Sequence, residues 1–105
     1  MIVANELIRL NIGDNDRYII SIKNEDNTDY EMGENDVLSF IVKRSMRCLD
    51  DDYVIRKDQN SKVVRLVPED TKDLQPGRYF YVVRLQKEDG TRRTIVDNTP
   101  FILVR

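Results

Sequence analysis

The chain has 105 residues, 40% of them hydrophobic and 34% charged, with a formal net charge of −2. One domain fits that length, and it suffices to bury roughly 65% of the unfolded surface in a single core. A single cysteine, Cys48, and no histidine exclude an internal disulfide, a Cys/His zinc site and any histidine-based triad or acid–base pair.

Apolar residues alternate at period two in almost every segment, which predicts strands. "LIRLNI" (7–12) puts Ile8, Leu10 and Ile12 on one face, and Gly13 to Asp16 reads as a turn. "RYIISIKN" (17–24) groups Tyr18, Ile20 and Ile22, and the polar stretch 25–36 is loop. "VLSFIVKR" (37–44) puts Leu38, Phe40 and Val42 together, and "SMRCLDDD" (45–52) has no period. "YVIRK" (53–57) and "KVVRLV" (62–67) flank a hairpin-like "DQNS". Pro68, followed by Glu69 and Asp70, starts a single helical turn. "GRYFYVVRLQK" (77–87) is the longest strand, "TRRTIVD" (91–97) returns after Asp89-Gly90, and "FILVR" (101–105) ends the chain with Pro100 at its entrance. Seven to eight short strands with no crossover helix predict one all-β domain over residues 1–105, an Ig-like antiparallel β-sandwich. The last hairpin stays open. A two-residue turn pairs Val83 with Val96, and a three-residue loop with Gly90 left-handed pairs Val83 with Ile95.

The predicted core is Ile8, Leu10, Ile20, Ile22, Leu38, Phe40, Val42, Val64, Leu66, Leu74, Tyr79, Tyr81, Val83, Leu85 and Phe101. By the same alternation Phe80 and Val82 point away from that core, as do Ile19, Ile41 and either Ile102 or Val104. Several such residues on adjacent strands form a patch, and patches mark interfaces. Phe80, Val82, Ile19, Ile41 and Val104 are therefore the candidate interface, unless segment 45–52 or 68–74 folds over that face within one chain.

No motif carries catalytic or metal chemistry. Each acidic run breaks the calcium-loop pattern early, with Tyr18 or Tyr30 where a ligand belongs. No phosphate loop or dinucleotide fingerprint is present. Cys48 lies near Asp50, Asp51 and Asp52, which disfavour a thiolate. "TRRT" and "VIRK" are basic, but their cations are scattered among acids, so nucleic acid is not an expected partner. No apolar run approaches the roughly 20 residues of a membrane helix, and the N-terminus has no signal-peptide pattern. The expectation is no enzyme, no cofactor, no metal and no membrane partner. Charge is uneven: residues 1–52 hold six Lys/Arg against twelve Asp/Glu, and residues 53–105 hold eleven against seven. Such blocks can support association between copies.

Leu74, Pro76, Gly77 and Tyr79 form an L-x-P-G-x-Y phrase of sandwich corners, in which the tyrosine hydroxyl bonds back across the turn. With Tyr81, Val83, Leu85, Gly90 and Phe101 in order after it, the block resembles the N-terminal domain of phage baseplate upper proteins and related prophage tail-associated proteins. The loop 25–36 is more acidic than that family's pattern. The resemblance implies a non-enzymatic structural module of the virion, assembled in the host cytoplasm. It would dock on other phage structural proteins or on copies of itself as a homo-oligomer. The other reading is a carbohydrate- or cell-surface-binding sandwich module.

Overall fold

The structure, a computed structural model, describes residues 2–3 and 6–105. Period-two alternation produces strands wherever it was read. In chain order these are β1 (Ile2–Val3), β2 (Ile8–Asn11), β3 (Asp16–Ile20), β4 (Val37–Lys43), β5 (Ile55–Gln59) and β6 (Val63–Leu66). The single helical turn α1 (Pro68–Thr71) follows, then β7 (Gly77–Gln86) and β8 (Arg92–Val104). They form a five-stranded sheet, β2-β8-β7-β4-β5, and a three-stranded sheet, β1-β3-β6. The domain is all-β. Its ladders are not all antiparallel, which corrects the expectation: β1 runs parallel to β3, and β2 parallel to β8. Parallel neighbours need a long connection between them, and β2 and β8 lie near opposite ends of the chain.

One core joins the inner faces of the two sheets. Every predicted core residue is buried except Leu74, which is half-buried against it. Alternation also buries Tyr18, Ile55, Val96 and Leu103. Four rings occupy the centre. Phe40 stacks on Tyr18 of the small sheet at 6.1 Å and on Tyr81 at 5.5 Å, and Phe101 meets Phe40 and Tyr81 edge-on at 6.4 Å each. Burial raises both tyrosine hydroxyls in pKa, Tyr81 to about 12. The Tyr81 hydroxyl donates to the Glu6 carbonyl, whereas the buried Tyr18 hydroxyl has no partner among the described residues.

The connection from β6 to β7 is held by one local and one long-range bond. The Val67 N–H donates to Asp70 Oδ2 (2.9 Å), and the Gly13 N–H donates to Thr71 Oγ1 (3.0 Å), tying the β2–β3 turn to α1. Gly77 has φ 152°, a conformation side chains rarely adopt. Two residues on, the Tyr79 hydroxyl donates to the Gln75 carbonyl at 2.7 Å.

The β7–β8 hairpin combines the two alternatives left open by the sequence. Its loop has three residues, closed by Lys87 N–H to Thr91 O (2.8 Å), with Gly90 at φ 89°. That loop sets Gln86 against Arg92 and Arg84 against Thr94, yet Val83 faces Val96, because the register shifts between Val83 and Arg84. A second shift lies between Tyr81 and Val83, near Asn98 with φ 27°. These bulges let β8 run unbroken through Pro100, where two separate strands were expected. β2 begins opposite Phe101, so Pro100 lies beyond its ladder and its missing N–H is tolerated.

Replacing Tyr79 by Phe keeps the ring and removes the corner bond. Urea unfolding should show a loss of about 1 kcal/mol. An unchanged midpoint would mean that the corner bond contributes nothing.

Candidate functional site

The outer face of the five-stranded sheet gathers the outward residues of its central strands. Ile41 pairs with Val82, Lys43 with Phe80 and Ser39 with Arg84. Ile41 and Val82 are 1% and 0% exposed, and Lys43 is 2% exposed. The β4–β5 connection, residues 44–54, is tied across this face as a strap through Cys48 and Asp50. The expectation of exposed interface residues is therefore corrected for Ile41 and Val82: they are covered within the chain.

Asp50 fastens the strap. Its carboxylate accepts Nε of Arg84 and, at 3.2 Å, Nη2 of the same side chain, while Arg84 Nη1 reaches Thr94 Oγ1 at 2.7 Å. Lys43 Nζ donates to the Cys48 carbonyl at 3.0 Å and lies 3.5 Å from Asp50 Oδ1. Arg84, and then Lys43, hold the Asp50 carboxyl below the usual carboxylate range. A buried ammonium needs such partners. Each carboxylate–cation bond of this kind contributes about 1.5–3 kcal/mol, and covering two β-branched side chains adds roughly 1.5–3 kcal/mol each. The strap's own apolar residues, Met46 and Leu49, remain 54% and 78% exposed.

The rest of the candidate interface divides. Ile19 is exposed but belongs to the small sheet, so it cannot join the others. Phe80 and Val104 are half-buried on the outer face. Between them lie Pro100, paired with Phe80, and Ile102, which sits in one row with Arg9 of β2 and Arg78 of β7. The exposed Leu7 precedes β2. Half of the outer face is thus strapped, and the other half is a half-buried apolar strip flanked by exposed arginines.

A cleft of about 790 Å³ opens beside the strap, lined by Lys43, Arg56, Arg84 and Arg92 among others. Ser39 Oγ donates to Asp58, and that bond together with Arg56 holds the Asp58 carboxyl low. So placed, Asp58 is a cross-link from β4 to β5 and a poor proton acceptor. Among the described residues no group of three or more His, Cys, Asp or Glu is arranged to hold a metal ion. Among the described residues no helix is long and apolar enough to cross a membrane.

At the opposite end, the acidic loop 25–36 is organised by Asp36, which is buried. Its carboxylate accepts the Tyr30 hydroxyl, the Gly33 N–H (2.8 Å) and the Glu88 N–H (3.0 Å). The Tyr30 hydroxyl, ahead of the backbone donors, lowers its pKa. Asn60 Nδ2 adds bonds to the Gly33 and Asp36 carbonyls. Three loops thereby form one tied end.

Sequence reasoning missed Asp50, Lys43 and Arg84 as a unit, and Asp36 as a hub. The available signal was a cation in an outward position beside an outward aliphatic residue on each of two long strands, with three aspartates in the segment between β4 and β5. No family model matches the chain, and neither a curated protein nor a solved structure matches it.

Asp50→Asn should loosen the strap and raise the rate at which a thiol reagent labels half-buried Cys48 by roughly tenfold, the equivalent of one lost charged hydrogen bond. A rate equal to wild type would show that Asp50 does not hold the strap. The sign of the pH effect follows from the lowered carboxyl. Its contribution is complete above the unfolded carboxylate pKa and is lost as pH falls through the lower folded value. Hydrogen exchange in residues 45–52, corrected for intrinsic rates, should accelerate on acidification through that window in wild type and stay flat there in Asp50→Asn.

Proposed function

We propose that this domain is a non-enzymatic docking module of a phage or prophage particle, with an Ig-like fold. The observation that carries the docking reading is the half-buried apolar strip Phe80–Pro100–Ile102–Val104, with exposed Arg9 and Arg78 flanking Ile102, beside the strapped part of the sheet. A sheet face left half uncovered, with apolar centre and charged rim, has the composition of a protein interface. The Ig-like assignment draws support from the sheet order β2-β8-β7-β4-β5 opposite β1-β3-β6 and from the tyrosine bond at the start of β7. The phage assignment rests on the ordered block of Leu74, Pro76, Gly77, Tyr79, Tyr81, Val83, Leu85, Gly90 and Phe101. Its partners in that reading are other particle proteins or copies of itself, met during assembly in the host cytoplasm and kept in the virion.

One observation favours the second reading, a carbohydrate- or cell-surface-binding module. Tyr53 is exposed at the end of the strap, with the Arg56 guanidinium 5.8 Å from its ring centre, and an exposed ring can stack on a sugar.

Particles purified from cells that express the chain, analysed by quantitative mass spectrometry, separate the two readings. The docking reading expects the chain at fixed stoichiometry, and Ile102→Asp should remove it from particles while leaving its melting temperature within a few degrees. Absence from particles, together with glycan-array binding abolished by Tyr53→Ala, would replace this reading with the second.

A further inference from the structure

We infer that the outer face is self-complementary: the strap of one copy seats on the arginine-flanked strip of a second copy, and the same contact made twice closes a dimer. This rests on the reading of the strip as a docking surface, and it names the occupant.

The two halves of the face are opposite in relief. The strap is tied by Cys48 and Asp50 over the half that holds the buried Ile41 and Val82, while Pro100, Ile102 and Val104 on the other half are half-buried. The strap turns Met46 and Leu49 outward, 54% and 78% exposed, although it is fixed from beneath by Asp50. A constrained loop with outward apolar side chains offers an anchor whose ordering cost has already been met by the fold. The strip offers an apolar floor to receive it.

The charges match as well. Beyond Asp50, the strap continues into Asp51 and Asp52, both exposed; the Asp51 side chain is 99% exposed and no nearer than 3.9 Å to Arg56. The strip is flanked by Arg9 and Arg78, exposed and without a side-chain hydrogen bond or ion pair among the described residues. The strap also carries two exposed cations, Arg44 and Arg47, so its acidic character is confined to the Asp51–Asp52 end, and Glu6 is exposed just ahead of β2. Opposite potentials steer and register an interface, and like charges set face to face are costly.

Symmetry follows from placement. Both patches lie on one face of one sheet. A two-fold axis in the plane between two facing copies, bisecting the line from strap to strip, carries each patch onto the other. Each strap then meets the partner copy's strip, and the assembly closes at two.

Sedimentation equilibrium of the full chain tests this by charge reversal. Wild type should be a dimer. Asp51→Arg with Asp52→Arg, and separately Arg9→Glu with Arg78→Glu, should each weaken dimerisation by roughly a hundredfold, because every contact becomes like-charged. An equimolar mixture of the two variants should regain the wild-type affinity, since one contact is native and the other doubly reversed. All four positions are exposed, and each variant should give the circular dichroism spectrum of the wild type. A wild type that stays monomeric at roughly 1 mM, variants that dimerise like wild type, or a mixture that fails to recover would overturn the inference. A monomeric wild type whose Arg9→Glu/Arg78→Glu variant is lost from particles overturns self-pairing and leaves the docking reading standing. A strip variant unchanged in both assays overturns both.

Discussion

The rest of this domain depends on the ring of Phe40. It is the common neighbour of Tyr18, Tyr81 and Phe101, and the Tyr18 contact is the one that spans from the five-stranded sheet to the small one. Aromatic pairs contribute about 0.5–1.5 kcal/mol each beyond the area they bury. Their larger effect is geometric. With Phe40, Tyr81 and Phe101 facing inward, the pleat forces Ile41, Lys43, Phe80, Val82 and Arg84 outward. The Tyr18 hydroxyl is buried beside this cluster without a hydrogen-bond partner among the described residues.

That inward choice creates the problem the strap solves. Two aliphatic residues and two cations are left on the outer face, and a loop that carries a carboxylate can cover the first and neutralise the second. Asp50 does both through Arg84 and Lys43. The opposite end uses the same chemistry with neutral donors, since Asp36 collects a tyrosine hydroxyl and two backbone N–H groups. Part of the acidity of residues 1–52 is therefore structural cement between loops, not only solvated surface.

The bulges in β8 shape the uncovered half. By taking up extra residues between Thr94 and Thr99, β8 returns to a register in which Phe101 and Leu103 face the core and Ile102 faces out between Arg9 and Arg78. A straight ladder continued from the three-residue loop would set Val83 against Ile95. The first bulge turns Val96 inward in place of Ile95 and the second restores the phase, so Phe101 enters the aromatic cluster opposite Tyr79 instead of Gly77.

Period-two patterning in the sequence determined the strands, the inward faces and almost the entire core, because side-chain alternation is a property of the extended backbone itself. The corner at Leu74 to Tyr79 was legible for the same local reason: Pro76, Gly77 and a tyrosine a few residues on act within one turn. Of the candidate interface, the outward direction of Phe80, Val82, Ile41 and Ile19 was legible, but the burial of Ile41 and Val82 was not. Whether an outward residue meets water depends on what folds over it, and segment 45–52 has no period to announce where it goes. Tertiary structure alone decided that Ile19 belongs to a different sheet from Phe80, that β2 lies parallel to β8, and that Val83 faces Val96. Each of those rests on pairings between residues far apart in the chain, or on a bulge set by distant packing, and neither leaves a mark in local spacing.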